Sequence, residues 1–196
     1  NNLKLNQAKT NEIIFSKPKT RHPKPLPTRF LKSVSSLVIL GVCIDINLKM
    51  DQHIECIISS ASQSLFALRL LKNNSLPELN LFQVYQATTL AKLLYASQAW
   101  WGFTNCNQRQ RIDSFVNKSK RLGYCSKTLP SFSDLCKKSD RTLFDAIVAN
   151  PNHVLHQLQP PKKVQLYNLR SRSHSFILPE KDDRNFLSRM LYTNIY

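Results

Sequence analysis

Asp182 and Asp183 are the one pair of adjacent aspartates in this sequence, and paired carboxylates are what a divalent metal needs to be clamped. They stand in PEKDDRN, with no Tyr in front and no apolar strand to aim them, so they read as a polar turn. Asp45 is better placed, because it ends the apolar run SSLVILGVCID, and metal-binding carboxylates often stand at such ends. No second carboxylate has a spacing that would join it, so Asp45 reads as the start of a turn. The rival reading is a metal ligand of a nuclease. His153 and His156 have the i, i+3 spacing of one helical face, but no nearby Cys or acid completes a set of ligands. No metal is assigned.

The remaining chemistry is cationic. Lys118, Lys120, Arg121 and Lys127 flank Tyr124, and Arg170 and Arg172 follow Tyr167 in YNLRSRSHSF, with His174 beyond. Lys and Arg neutralise phosphates, and aromatic rings stack on unpaired bases. For 118–127 a solvated helix face is an equal reading, and the Arg/Ser tail reads as flexible. Trp100-Trp101 ends the most apolar stretch and reads as core packing rather than base stacking.

The totals agree with a polyanionic partner: 28 Lys+Arg against 12 Asp+Glu give a formal charge of +16 over 196 residues. The excess is uneven. Residues 51–100 are neutral, while residues 1–50, 101–150 and 151–196 carry +7, +5 and +4. A packed neutral middle with basic flanks follows, rather than a uniformly basic disordered chain. The five cysteines are scattered without a Cys-x-x-Cys pair, which points to reduced thiols in the cytoplasm or nucleus. No membrane partner is expected, because no apolar run approaches the roughly 18–20 residues that cross a bilayer.

Several elements must position these groups. KPKTRHPKPLPTR (17–29) is an extended loop or arm, equally a plain surface loop or a segment touching nucleic acid. SSLVILGVCID (35–45) reads as a buried strand, with Gly41 marking a bulge or a close backbone approach. Ile54, Ile57, Ile58, Ala61, Leu65, Leu68 and Leu71 then mark one face of a helix ending near Asn73-Asn74. Pro77 opens a second helix that runs to Gly102, apolar nearly all round and therefore expected to be the most buried. A third covers about 107–122, with Ile112, Phe115, Val116 and Leu122 inward. Shorter helices are expected at 133–138 and 141–149, capped by Ser133 and Asp140. An extended tail follows Pro160-Pro161.

Taken in order, LKLNQAKTNEIIF, SLVILGVCID, DQHIECIISSASQSLFALRLLK, LLYASQAWWG and YNLRSRSHSF resemble the end of the reverse transcriptase of a non-LTR (LINE-type, jockey-like) retrotransposon. The likeness runs from about residue 2 to the C-terminus. It implies an α+β chain: residues 1–48 as the end of a palm with an antiparallel primer-grip-like hairpin, 49–150 as a helical thumb, 151–196 as a basic, partly extended tail. Leu40, Gly41 and Val42 match the primer grip. Lys9, in Asn-x-x-Lys-Thr, matches a lysine that lies near the triphosphate and can protonate pyrophosphate. An exposed lysine in a polar loop is the favoured alternative, with Asn6 and Thr10 as turn and capping groups.

The family's Mg²⁺-binding Asp box is not in this sequence, so the chain is expected to carry no cofactor and not to polymerise alone. The opening without Met, just downstream of where that box would lie, implies a fragment whose palm and fingers are missing partners. The implied ligand is an RNA template–DNA primer duplex. A non-catalytic nucleic-acid-binding helical domain, or a decaying relic of an element, is the alternative.

Overall fold

The computed structural model describes residues 6–15, 26–163 and 174–193. It is mixed helix and strand, with two small two-stranded sheets ahead of a helical bundle. Strands β1 (Asn11–Glu12) and β2 (Lys32–Ser33) pair in parallel, so the strand begins before the Ile13-Ile14-Phe15 run. Glu12 locks this pairing. Its carboxylate accepts from Thr28 N at 2.9 Å and Ser33 Oγ at 2.7 Å, and these bonds hold its pKa below the ordinary value.

Residues 35–45 form not one buried strand but a tight antiparallel hairpin, β3 (Ser36–Ile39) and β4 (Val42–Asp45). Leu40 and Gly41 turn it with φ of 47° and 82°, both left-handed, which is the signature of a type I′ turn. Gly41 is also the close approach its sequence position announces, because a Cβ there would lie 3.4 Å from the Tyr95 ring. Only β4 is inward, through Val42 and Cys43. Val38 and Leu40 are 65% and 86% exposed, which corrects the expectation of a buried run. Leucine tolerates a left-handed φ poorly and asparagine tolerates it well. Leu40→Asn should therefore stabilise the chain by about 0.5–1 kcal/mol. The check is a higher urea midpoint at an unchanged slope; an unchanged or lower midpoint would refute it.

Helix α1 (Asp51–Asn73) buries Ile54, Ala61, Leu65 and Leu68, as the periodicity predicts, with Ile57 and Ile58 half-buried. By length and composition alone it could cross a membrane, contrary to the sequence expectation; its inward face packs in the bundle core. His53 ties it to the hairpin. Cys43 N donates to His53 Nδ1 at 3.3 Å, and burial pushes the imidazole pKa down.

The single helix expected over 77–102 is broken into α2 (Glu78–Tyr85), a π-helical turn (Gln86–Leu90), α3 (Ala91–Leu94) and α4 (Ser97–Trp100). Neither Gly nor Pro causes the breaks. Thr88 Oγ1 bonds back to Val84 O at 2.7 Å in the wide turn. Ala96 is left-handed at φ 49°, and the freed Tyr95 carbonyl accepts from Trp100 Nε1 at 2.9 Å. The stretch is amphipathic rather than apolar all round in its packing, since Leu79 and Tyr95 are exposed.

Helix α5 (Cys106–Arg121) starts on a capping box between Asn105 and Gln108 and buries Ile112, Phe115 and Val116; Leu122 is exposed instead of inward. The two short helices predicted after it are one, α6 (Phe132–Ala149), capped by Ser131 rather than Ser133. Asp140 is not a cap. It is buried on α6 and bound by Arg189 of α7 (Phe186–Leu191), whose Nη2 and Nε donate to Oδ2 at 2.8 and 3.0 Å. Residues 174–193 thus fold back onto α6, with Phe144, Phe176, Met190 and Leu191 as a small second core within the stretch expected to be a partly extended tail.

Candidate nucleic-acid interface

The exposed tip of the β3–β4 hairpin stands over an apolar groove between α1 and the α2–α3 stretch. The groove has a volume of about 730 Å³ and is lined by Gly41, Leu68, Leu71, Val84 and Tyr95 among others. Tyr95 pins the tip, its hydroxyl donating to Leu40 O at 3.1 Å. Small residues of both helices line the rest, and Lys92 Nζ donates to Ser64 Oγ at 2.8 Å across it. Leu40, Gly41 and Val42 therefore differ in environment: Leu40 is out, Gly41 touches Tyr95, and Val42 is core.

At the far end of α1 the cationic residues of 118–127 come together with Lys72, whose Nζ donates to Leu122 O at 2.7 Å. Lys118, Arg121 and Lys127 are exposed. Lys118 and Arg121 sit in the last turn of α5, where cations also offset the helix dipole. Lys120 is half-buried and donates to Leu129 O at 2.6 Å, holding the loop after α5. Tyr124 does not present a stacking face. It is 5% exposed in the core, with Lys72 Nζ 5.8 Å from its ring centroid.

Arg170, Arg172 and Tyr167 lie outside the described residues. His174 has a structural place, its Nε2 paired with Leu191 O at 2.8 Å and its ring against Phe144 and Phe176. Lys9 is exposed at the end of a 3-10 turn, with Asn6 O and Oδ1 both accepting from its backbone N–H. Thr10 Oγ1 donates to Asn6 O at 2.8 Å, so Asn6 and Thr10 act as turn groups.

The acids are engaged in turns. Asp45 Oδ1 accepts from Asn47 N at 2.6 Å, and Asp182 Oδ1 accepts from Arg184 N at 3.0 Å, which lowers the Asp182 pKa. Asp183 is exposed beside Lys181. His153 Nδ1 accepts from Leu155 N, and His156 Nδ1 pairs with Ile147 O. Among the described residues no three His, Cys, Asp or Glu side chains converge on a metal position. Trp100 and Trp101 form a core cluster with His53 and Phe132.

Searches of protein-family models, curated proteins and solved structures find no significant match to this chain. One set of cations is not evident from the sequence: Arg109 lies over Trp101, near Lys137, Lys138 and Arg141 of α6. The pair Lys137-Lys138 is visible in the sequence, but only the fold brings Arg109 beside it.

Proposed function

We propose that this chain is the thumb-bearing C-terminal part of a non-LTR retrotransposon reverse transcriptase, and that it holds a primer–template duplex. The observation that carries the reading is the hairpin with an exposed apolar tip, tied to the bundle by Tyr95 and His53 and leading directly into it. That is the order of primer grip and thumb in the family the sequence resembles. The apolar groove and tip lie beside the duplex in this reading, and Lys118, Arg121 and Lys127 meet phosphates. The palm and fingers, with their Mg²⁺, are supplied by the rest of the parent enzyme, which works in cytoplasm and nucleus. Asp45 and Asp182 are engaged in turns, which favours a binding rather than a catalytic role for the chain alone.

Binding of an RNA–DNA hybrid should weaken steeply with salt, because cations displaced from phosphates set the affinity. Lys118→Glu with Arg121→Glu should lower affinity at least about tenfold and reduce the salt slope by about two, uniformly across sequences. Fluorescence anisotropy over a salt series decides it. Hybrid binding with an unaltered slope in the double variant would sink the assignment of this surface.

A further inference from the structure

A second cavity, of about 570 Å³, lies between the start of α5, the face of α6 and α7. Arg109 is about 18 Å along α5 from Arg121, so this is a different place from the surface assigned above. Five of its lining side chains are cations and two are carboxylates. Trp101 forms its apolar wall, and the Arg109 guanidinium lies 4.9 Å from the centroid of that ring. Arg109 Nε donates to Thr104 Oγ1 at 2.9 Å, which fixes the plane while the residue stays exposed. A guanidinium held this way is a stacking platform, because its flat face can stack on a base. Lys138 and Arg141 line the same cavity at i, i+3 on α6. Arg141 is paired with Asp145 only at the surface, at 3.1 Å with both side chains about half exposed, a contact that an anion can replace.

We propose that this cavity binds a nucleoside phosphate, the base stacked on Arg109 above Trp101 and the phosphate held by Lys138 and Arg141. An acidic peptide would use the cations but has no need of the flat Arg–Trp platform, so the nucleotide is the better fit. A free nucleotide and an unpaired nucleotide of a strand present the same chemistry. The inference stands apart from the duplex reading and does not depend on it.

Calorimetric titration of the full chain with adenosine 5′-monophosphate, inorganic phosphate and a short single-stranded oligoadenylate tests it. Saturable binding of the nucleotide is expected, with phosphate at least about tenfold weaker, since stacking the base adds to what the phosphate contacts give. Arg109→Lys keeps the charge and the fold but loses the plane. It should weaken the nucleotide about fivefold or more and leave phosphate unchanged. Lys138→Ala with Arg141→Ala should weaken both. Lys118→Glu with Arg121→Glu should change neither, so a failure of the duplex reading shows separately. An oligonucleotide that binds more tightly than the mononucleotide, and is sensitive to Arg109→Lys, places a strand in the cavity; equal affinity means a free nucleotide. Either supports the proposal. Nucleotide and phosphate binding alike with Arg109→Lys silent, or no saturation by about 10 mM nucleotide, overturns it.

Discussion

Arg189→Ala should destabilise the chain by about 3–5 kcal/mol, the cost of leaving a buried carboxylate without its cation. Asp140 is 3% exposed, and both donors of Arg189 that reach it converge on Oδ2. Its Oδ1 has no partner among the described residues, so no second bond there offsets the loss. Arg189 Nη1 also donates to the carbonyls of Asp183 and Arg184 at 3.3 Å, so the chain around α7 loosens as well. The pH dependence has a definite sign. Burial pushes the Asp140 pKa up from 3.8, and Arg189 pulls it back. Without Arg189 the native pKa rises further above the unfolded value. The added cost is then largest at neutral pH, shrinks as pH falls through the raised native pKa toward 3.8, and vanishes only below 3.8, where the carboxyl is protonated in both states. Urea unfolding at neutral and mildly acidic pH measures both parts. Asp140→Leu with Arg189→Met should retain most of the stability, since it removes both charges together. A loss under about 1 kcal/mol in Arg189→Ala, the same at both pH values, would mean the pair is surface-like.

Trp100→Ala is the second large effect, at about 3–5 kcal/mol. The indole is fully buried, edge-on to His53 at 5.1 Å and to Trp101 at 6.0 Å, and stacked on Phe132 at 6.4 Å. Its removal leaves a cavity where α1 and α6 meet through these rings. Trp100→Phe separates packing from hydrogen bonding: it keeps a ring but strips the Tyr95 carbonyl of its donor, at about 1–3 kcal/mol. His53 reports the difference. Burial holds its pKa below 6.5, and water entering beside it should bring the pKa back toward that value in Trp100→Ala. Proton NMR of His53 reads this directly. An unmoved His53 pKa together with a loss under about 1 kcal/mol would show the indole to be peripheral.

What the sequence made legible was periodic. Ile54, Ala61, Leu65 and Leu68 announced α1, and Ile112, Phe115 and Val116 announced α5, because burial repeats with the helical turn. The turn at Leu40-Gly41 was hidden because leucine is a poor residue for a left-handed φ, so only Gly41 signalled it. The breaks around Gln86–Leu90 and Ala96 left no punctuation, since they are marked only by a Thr hydroxyl and by the Trp100 indole N–H five residues after the carbonyl it meets. Asp140 looked like a cap because its partner is 49 residues away. The same distance hid the return of residues 174–193. Among the candidate interface residues, exposure of Lys118 and Arg121 was readable from the helical pattern. The burial of Tyr124 was not, because it depends on Lys72 and the turn at Gly123, where φ is 71°.

The pairing of Asp140 with Arg189 also sets an order of events during synthesis. Helix α6 has left the ribosome well before residue 189 does, so for several seconds its inward carboxylate faces no guanidinium. Through that interval Asp140 is best turned to water, where it stays ionised, and seating α6 against α4 and α5 would bury an unpaired charge. A helix that emerges later is therefore the one that lets an earlier one settle, and a nascent chain stalled before Arg189 should remain sensitive to protease along α6.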